Sequence, residues 1–485
     1  MHDSDRPETP RGIYVGGAWR AAAAGATYEK RNPMHPDRIA GVAALAAEED
    51  VDDAVSAAES AFAGWAALPI AARAAFLNGA ATALEARAER AARDMTNEMG
   101  KPIREARGEV GRAAQILRFA ASEAYRPVGE LFEQAATGAQ LATRRRPVCV
   151  VGLIAPWNFP AAIPAWKLAP ALVYGNTAVL KLAYEAPLTG LHIAEAFAEA
   201  GLPAGVLNVL TGRGSTIGSA IVRDPRVRAI SFTGSVATGH GVRDEATRLG
   251  KRVQLELGGH NPVIVTADAD AERAVEACFA GAFWSAGQKC TATRRIYVES
   301  RVYDAFRERL LERVGRARVG DPLDPEVEVG PIVSSSQFEE IAAAIDRGRA
   351  EGGTLLAGGV APGSDGYVVL PTVFEDVDDA AYLSCEEVFG PVVTLYRFTE
   401  LDDAIRRANA LPFGLSAAIF TSSLASAARF QERIQAGLIH VNSQTAGADV
   451  HVPFGGIKGS GFGPHEQGRA AIEFYTDTVT IYVDA

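Results

Sequence analysis

Apolar residues change their spacing along the chain, and the change divides it. Val51, Ala54, Val55, Ala58, Phe62 and Trp65 recur at three- and four-residue steps, which puts them on one face of an amphipathic helix. A second helical stretch is expected from about Ile70 to a stop at Gly100-Lys101-Pro102. From Val148 the period shortens. The β-branched runs VCVVGLIA, NTAVLKL, GVLNVLTG, RAISFTG and RVQLELGG alternate with helix-like stretches such as PLTGLHIAEAFAEAG. Strand, helix and strand at this spacing predict right-handed βαβ units and a parallel sheet. A second alternation starts at PVIVTADAD, passes through AERAVEACFAGAFWSAG and reaches the strand RRIYVES. The expected fold class is α/β with two lobes, the glycine pair in ELGGHNP serving as the hinge between them.

Composition narrows the functions open to such a fold. At 485 residues, 48% hydrophobic and 22% charged, the chain matches ordinary globular proteins and excludes disorder or a collagen-like repeat. Its length corresponds to about three domains of ~150 residues. Lys plus Arg is 48 against 59 Asp plus Glu, a net −11, which argues against a nucleic-acid partner. The most apolar stretch, Val148 to Trp166, is interrupted by Pro156, Asn158, Pro160 and Pro164, so no membrane span is expected. The polar start MHDSDRPETPRG lacks the pattern of a signal peptide. Four cysteines (Cys149, Cys278, Cys290 and Cys385) are too few for a disulfide framework; they point to a reducing, cytoplasmic setting with at most one special thiol. Lysines number only seven, the remaining basic residues being Arg, so each Lys is a position where a compact ammonium is worth looking for.

Standard chemical templates are absent. No Ser carries Gly at both −2 and +2, no GxxxxGK[ST] loop occurs, and the 8 His lack a partner at structural-zinc spacing, so no metal is expected. Three segments remain. SFTGSVATGHG runs from a strand into a turn with Gly234 and Gly239, which suits either a phosphate at a helix N-terminus or a plain βα turn. In SAGQKCTATRR, Cys290 has Lys289, Arg294 and Arg295 close in sequence; cations stabilise a thiolate, and the bland competitor is a buried structural cysteine. By contrast, Cys149 lies in an apolar run, Cys278 on a helical pattern, and Cys385 beside Glu386 and Glu387, which would raise its pKa. Glu256, the sole acid ending the apolar strand of VQLELGGHNP, is either structurally paired or a general base.

Taken in order, APWNFP (155–160), VLKLAYEAP (179–187), FTGSVATG (232–239), LELGGHNP (255–262), GQKC (287–290), EEVFGPV (386–392) and PFGGIKGSG (453–461) resemble the aldehyde dehydrogenase superfamily, from about Arg11 to Tyr482. The resemblance implies a Rossmann-type NAD(P)-binding domain (1–128 and 148–258), an α/β catalytic domain (259–460) and a small β oligomerisation arm (129–147 and 461–485). It implies a homodimer or homotetramer acting on a small aldehyde. Cys290 would be the nucleophile, Asn158 with the Cys290 N–H the oxyanion hole, Glu256 the base for hydrolysis, and Lys167 a proton relay behind it. For the cofactor it implies Lys181 at the adenosine ribose, Gly234 and Ser235 at the pyrophosphate turn, and Glu387 with Phe389 at the nicotinamide end. Ile154, Trp157, Gly214, Phe232 and Leu257 would complete the cofactor site. Three residues after Lys181 the family often carries Glu; here Tyr184 stands there with Glu185 next, and the expected cofactor is NAD with NADP tolerated.

GAFWSAGQKCTATRR and TAGADVHVPFGGIKGSGFGPHEQGRAAIEFYT look like the group acting on α-ketoglutaric semialdehyde (2,5-dioxopentanoate). Such a substrate ends in a carboxylate, and Arg112, Arg118, Arg294 and Lys289 are the candidates to receive it. Succinic semialdehyde and a hydrophobic or aromatic aldehyde are the alternatives; Ile457 stands where the group often has a basic residue. A CoA-acylating relative commonly lacks the glutamate present here as Glu256. A non-catalytic descendant of the fold would have lost Cys290, Glu256 or Asn158, and all three are present.

Overall fold

Strand–helix alternation from Val150 builds the first lobe. The computed structural model describes residues 10–126, 128–133 and 140–483; the expected N-terminal polar run up to residue 9, and parts of the expected arm at 134–139 and 484–485, lie outside the described residues. Strands Val150–Ile154, Thr177–Lys181, Leu207–Leu210, Val227–Thr233 and Arg252–Glu256 are parallel, in the spatial order third, second, first, fourth, fifth. Helices Ala162–Val173, Pro187–Glu199 and Val236–Arg248 form three of the crossovers. The chain reverses its winding direction between Val150–Ile154 and Val227–Thr233, and such a reversal opens a crevice at the carboxyl ends of the strands. Short antiparallel strands finish the edges: Ile13–Val15 with Ala18–Arg20 on one side, Gly461–Phe462 on the other.

The second lobe is a seven-stranded sheet running from Thr354–Val360 through Val369–Glu375, Val392–Phe398, Thr293–Glu299, Asn261–Val265 and Ser416–Phe420 to Leu438–Val441. All neighbours are parallel except the first pair. Strand Arg252–Glu256 belongs to one sheet and Asn261–Val265 to the other, so ELGGHNP carries the crossing. Its glycines provide clearance: a Cβ on Gly258 would lie 1.9 Å from a Glu387 carboxylate oxygen, and one on Gly259 would lie 3.0 Å from the Cys290 carbonyl oxygen. A third, antiparallel sheet joins Leu131–Glu133, Gln140–Pro147 and Thr476–Val483. The stretch from residue 461 divides, its first strand entering the cofactor-lobe sheet and its last the three-stranded sheet.

Helix Glu48–Ala67 buries Val51, Ala54, Val55, Ala58 and Trp65, the predicted face, while Phe62 is half-buried. The helical stretch expected from about Ile70 to Gly100 consists of two helices, Ile70–Ala86 and Ala88–Met99. They part at Arg87, whose guanidinium pairs with Glu195 and Glu199 on the next layer. That tertiary pairing leaves no mark in local periodicity. Gly100 ends the second helix in the left-handed region, φ 78°. Among the described residues no single helix is long and apolar enough to cross a membrane.

Candidate active site

A cleft of about 840 Å³ opens at the carboxyl ends of the first lobe's strands. Ile154, Trp157, Lys181, Gly214, Phe232, Gly234 and Ser235 line it. These are expected cofactor residues, brought together from four segments. Gly234 follows strand Val227–Thr233, where a Cβ would lie 2.6 Å from the Phe232 ring. Ser235 caps helix Val236–Arg248, its hydroxyl accepting the Thr238 N–H at 3.4 Å. Gly239 serves packing instead, since a Cβ there would lie 2.3 Å from the Leu257 side chain and would hold the helix away from it. Leu257 itself is buried beneath that helix, its N–H bound to the Ser460 carbonyl at 3.0 Å. Burial pulls Lys181 down to about 8, opposed by the nearby Glu185 carboxylate.

One expected cofactor residue is placed otherwise. Tyr184 stacks on Tyr28, centroids 4.3 Å apart, with the Arg213 guanidinium 4.9 Å from its ring centre. Its neighbour Glu185 lines the cleft. Each successive side chain after a strand points a different way, and a count of residues from Lys181 does not carry that direction.

Across the cleft, Trp157 meets Phe389 edge to face with centroids 5.4 Å apart, which joins the two lobes. Glu387 beside it is half-buried; its carboxylate accepts the Gly259 N–H at 3.1 Å. Burial raises its pKa to about 7, with Arg294 pulling the other way. A nicotinamide dinucleotide fits these residues: a long polar cleft, glycine-lined at a helix N-terminus, with a buried lysine at one end and a half-buried carboxylate at the other.

Cys290 stands on a loop that departs from regular structure. Helix Ala271–Phe283 ends, and Ser285, Ala286 and Gly287 follow with φ 56°, 51° and 67°. Glu105 from the first lobe holds Ser285 in place, accepting its backbone N–H at 3.0 Å. At Gly287 only glycine fits, because a Cβ would lie 2.2 Å from the Gly390 carbonyl oxygen. Asn261 Nδ2 donates to the Cys290 and Ala292 carbonyls at 2.8 and 2.9 Å, fixing the outgoing strand.

The cationic neighbours expected to favour the thiolate do not set its pKa. Lys289 donates to the Ala280 carbonyl at 3.0 Å, Arg295 to the His260 carbonyl at 2.8 Å, and Arg294 to the Gly287 carbonyl at 2.5 Å. Burial, followed by Glu256 and Glu387, pushes the Cys290 thiol up to about 12. The opposing pull comes from the backbone N–H groups of Thr291 and Cys290. Cys278, buried in its helix, and the half-buried Cys149 and Cys385 are also raised, in each case chiefly by burial.

Asn158 is held from two sides. Its carbonyl accepts Lys101 Nζ at 2.7 Å, and its side-chain amide donates to the Gln288 carbonyl at 3.1 Å. Lys101 in turn pairs with buried Glu109, which accepts the Ala161 and Ala162 N–H groups at 2.9 and 3.1 Å. No motif announced Lys101 or Glu109; the rarity of lysine was the only signal.

Glu256 ends strand Arg252–Glu256, buried, with one carboxylate oxygen lacking any hydrogen-bond partner. Burial and then Glu466 raise its pKa well above the carboxylate range, while Lys167 opposes. Lys167 pairs with Glu466 and donates to Ser231 Oγ at 2.7 Å. Glu466, missed in the sequence, arrives from GPHEQGR through backbone hydrogen bonds of 2.7 Å to Phe454 in both directions. Two carboxylates and one ammonium thus share a buried pocket.

A doubly wound nucleotide-type cleft, a half-buried cysteine at the junction of two α/β lobes and a buried glutamate beside it define the class of the protein. A sequence profile described as the aldehyde dehydrogenase family matches residues 19–481. The chain belongs to that family and is an aldehyde-oxidising enzyme. It is 42% identical over 474 residues, 97% of each chain, to an alpha-ketoglutaric semialdehyde dehydrogenase of Bacillus subtilis. To a betaine aldehyde dehydrogenase of Cereibacter sphaeroides it is 43% identical over 434 residues, 89% of each. The crystal structure of an NAD-dependent aldehyde dehydrogenase from Sinorhizobium meliloti superposes with a TM-score of 0.96 at 35% identity, covering 99% of this chain and 97% of that one.

Proposed function

We propose that the enzyme oxidises a carboxylate-bearing semialdehyde, 2,5-dioxopentanoate foremost, to the dicarboxylate, with NAD as cofactor and NADP tolerated. Arg112 carries the substrate reading. Of the four cations considered, Arg118 pairs with Glu85 at the surface, while Lys289 and Arg294 are buried on backbone carbonyls. Arg112 projects half-buried from helix Ile103–Ser122 and donates one N–H to the Ala448 carbonyl; it makes no ion pair among the described residues. Ala448, Val450 and Cys290 all pack against the first lobe's apolar core, and on this reading the guanidinium faces the substrate side of the thiol. A free guanidinium edge suits a carboxylate and repels the trimethylammonium of betaine aldehyde.

The chemistry follows from the chain's own groups. Once its thiol proton is lost to water, Cys290 Sγ attacks the aldehyde carbon; a carbon–sulfur bond forms as the carbonyl π bond opens, and the resulting oxyanion is held by the Asn158 amide and the Cys290 N–H. The chemistry that NAD(P) supplies when bound is acceptance of the hydride leaving that carbon. Cys290 is then acylated as a thioester. Glu256 takes a proton from water, the hydroxide attacks the acyl carbon, and the carbon–sulfur bond breaks to release the carboxylate. Lys167 and Glu466 set the charge behind Glu256 and so position its ionisation.

This balance has a sign. Glu256 acts as a base only when ionised, so turnover limited by hydrolysis rises with pH through its raised pKa. Glu466→Gln removes the neighbouring negative charge and is expected to move that limb of the kcat–pH profile to lower pH. Lys167→Met removes the positive charge and moves it to higher pH. Shifts in the same direction would contradict the assignment.

Substrate choice is tested by initial rates with 2,5-dioxopentanoate, succinic semialdehyde, hexanal, benzaldehyde and betaine aldehyde, each with NAD and NADP. Arg112→Ala is expected to lower kcat/KM for the two semialdehydes about 10²-fold, chiefly through KM, and to leave hexanal within about twofold. Equal losses on all substrates would remove Arg112 from the pocket. The assembly reading, a homodimer or homotetramer, is supported by the three-stranded sheet, which exposes Leu131, Phe132, Tyr482 and Val483. A cytoplasmic setting is supported by the four unpaired cysteines.

A further inference from the structure

We propose that helix Ile103–Ser122 sets both halves of the oxyanion hole, the Lys101–Glu109 pair positioning Asn158 and Glu105 positioning the Cys290 loop. The inference rests on the reading of the Asn158 amide and the Cys290 N–H as the oxyanion donors, and adds the groups that hold them in register. Glu105 and Glu109 stand four residues apart, so both carboxylates leave one face of the helix. Glu105 accepts the Ser285 N–H at 3.0 Å and the Ser285 hydroxyl at 2.5 Å. Ser285 and Ala286 have φ 56° and 51°, a costly backbone for residues with a Cβ, which persists only where partners enforce it. Glu109 accepts the Ala161 and Ala162 N–H groups and pairs with Lys101. The Lys101 ammonium donates to the Asn158 carbonyl at 2.7 Å and lies 4.0 Å from the centre of the Phe159 ring.

Lys101 is itself held firmly. It occupies the corner between helices Ala88–Met99 and Ile103–Ser122, where Gly100 turns the chain and the Ile103 N–H donates to the Pro322 carbonyl at 2.8 Å. Its buried ammonium makes charge-assisted hydrogen bonds, which are shorter and stronger than neutral ones. The Asn158 backbone is thereby anchored in the first lobe, while its amide donates to the Gln288 carbonyl at 3.1 Å, on the loop that Glu105 holds. A side-chain amide carries two N–H groups, so one remains for an oxyanion. The two oxyanion donors come from different lobes, and they act together only if both reach a single point. One helix that supports both keeps their separation fixed.

The test is a mutant cycle on single-turnover NADH formation by the full-length enzyme with NAD+, using 2,5-dioxopentanoate and, separately, hexanal. Enzyme is in excess over aldehyde, so the rate reports acylation without hydrolysis. Asn158→Ala should slow it about 10²- to 10³-fold. Lys101→Met/Glu109→Gln removes both buried charges at once and keeps a carbonyl oxygen at position 109 for the Ala161 and Ala162 N–H groups. This double variant should slow acylation about 10- to 10²-fold and leave NAD+ affinity within about twofold. In the Asn158→Ala background the same double change should cost no more than about twofold further, because its effect passes through that amide. Glu105→Ala, acting on the other half, should cost about tenfold in both backgrounds. An unchanged rate in Lys101→Met/Glu109→Gln, or an equal loss with and without Asn158, overturns the proposal while leaving the oxyanion reading intact. A Glu105→Ala cost that vanishes in the Asn158→Ala background overturns the division into halves. If Asn158→Ala forms NADH at the wild-type rate, the oxyanion reading falls and the proposal with it. A double variant that fails to fold would make Lys101–Glu109 a folding requirement and would also overturn the assignment.

Discussion

Cys290→Ala is expected to end NAD(P)H production from every aldehyde, a loss of at least ~10⁴-fold, while the dinucleotide still binds. The thiol supplies the nucleophile that opens the proposed sequence, and the cofactor cleft is lined by other residues. Persisting turnover would remove Cys290 from the chemistry. The same site predicts how the resting thiol behaves. Burial and two carboxylates hold Cys290 protonated, its pKa about 12. Alkylation of the cofactor-free enzyme by iodoacetamide should therefore be slow at neutral pH and still rising at pH ~9, since only the thiolate reacts. A plateau near neutrality would mean that a cation does face the sulfur.

Glu256→Gln should separate the two halves of the reaction. Acylation uses Cys290 and Asn158 and should persist as a burst of NAD(P)H, whereas hydrolysis should slow by about 10²- to 10⁴-fold. The amide cannot accept a proton, so the rising limb of the steady-state pH profile should disappear as well. Equal loss of burst and steady rate would make Glu256 a structural acid.

Much of this arrangement was legible in the chain. Alternating β-branched runs and helices after Val148 predicted the parallel lobes, since that signal is local and repeated. The motif residues marked Lys181 and Gly234, which line the first-lobe cleft, and Asn158, Glu256, Cys290 and Glu387, which meet where the lobes join. What escaped was direction. Lys289, Arg294 and Arg295 are adjacent to Cys290 in sequence, yet each directs its charge to a carbonyl elsewhere. Tyr184 turned onto Tyr28, and Glu185 took its place at the cleft. Pairings between distant segments also escaped, among them Lys101–Glu109 and Lys167–Glu466. Composition held one faint trace of them: six of the seven lysines are buried, Lys458 being the exception. A chain that uses arginine at its surface keeps lysine where a small ammonium must fit inside.

The covalent intermediate tests the central claim most directly. Glu256→Gln, mixed with 2,5-dioxopentanoate and NAD and acid-quenched within the burst, should show by intact mass a single acyl adduct per subunit. Proteolysis should place it on the peptide containing Cys290. An unmodified chain despite NADH release, or an adduct on Cys149, Cys278 or Cys385, would contradict the account.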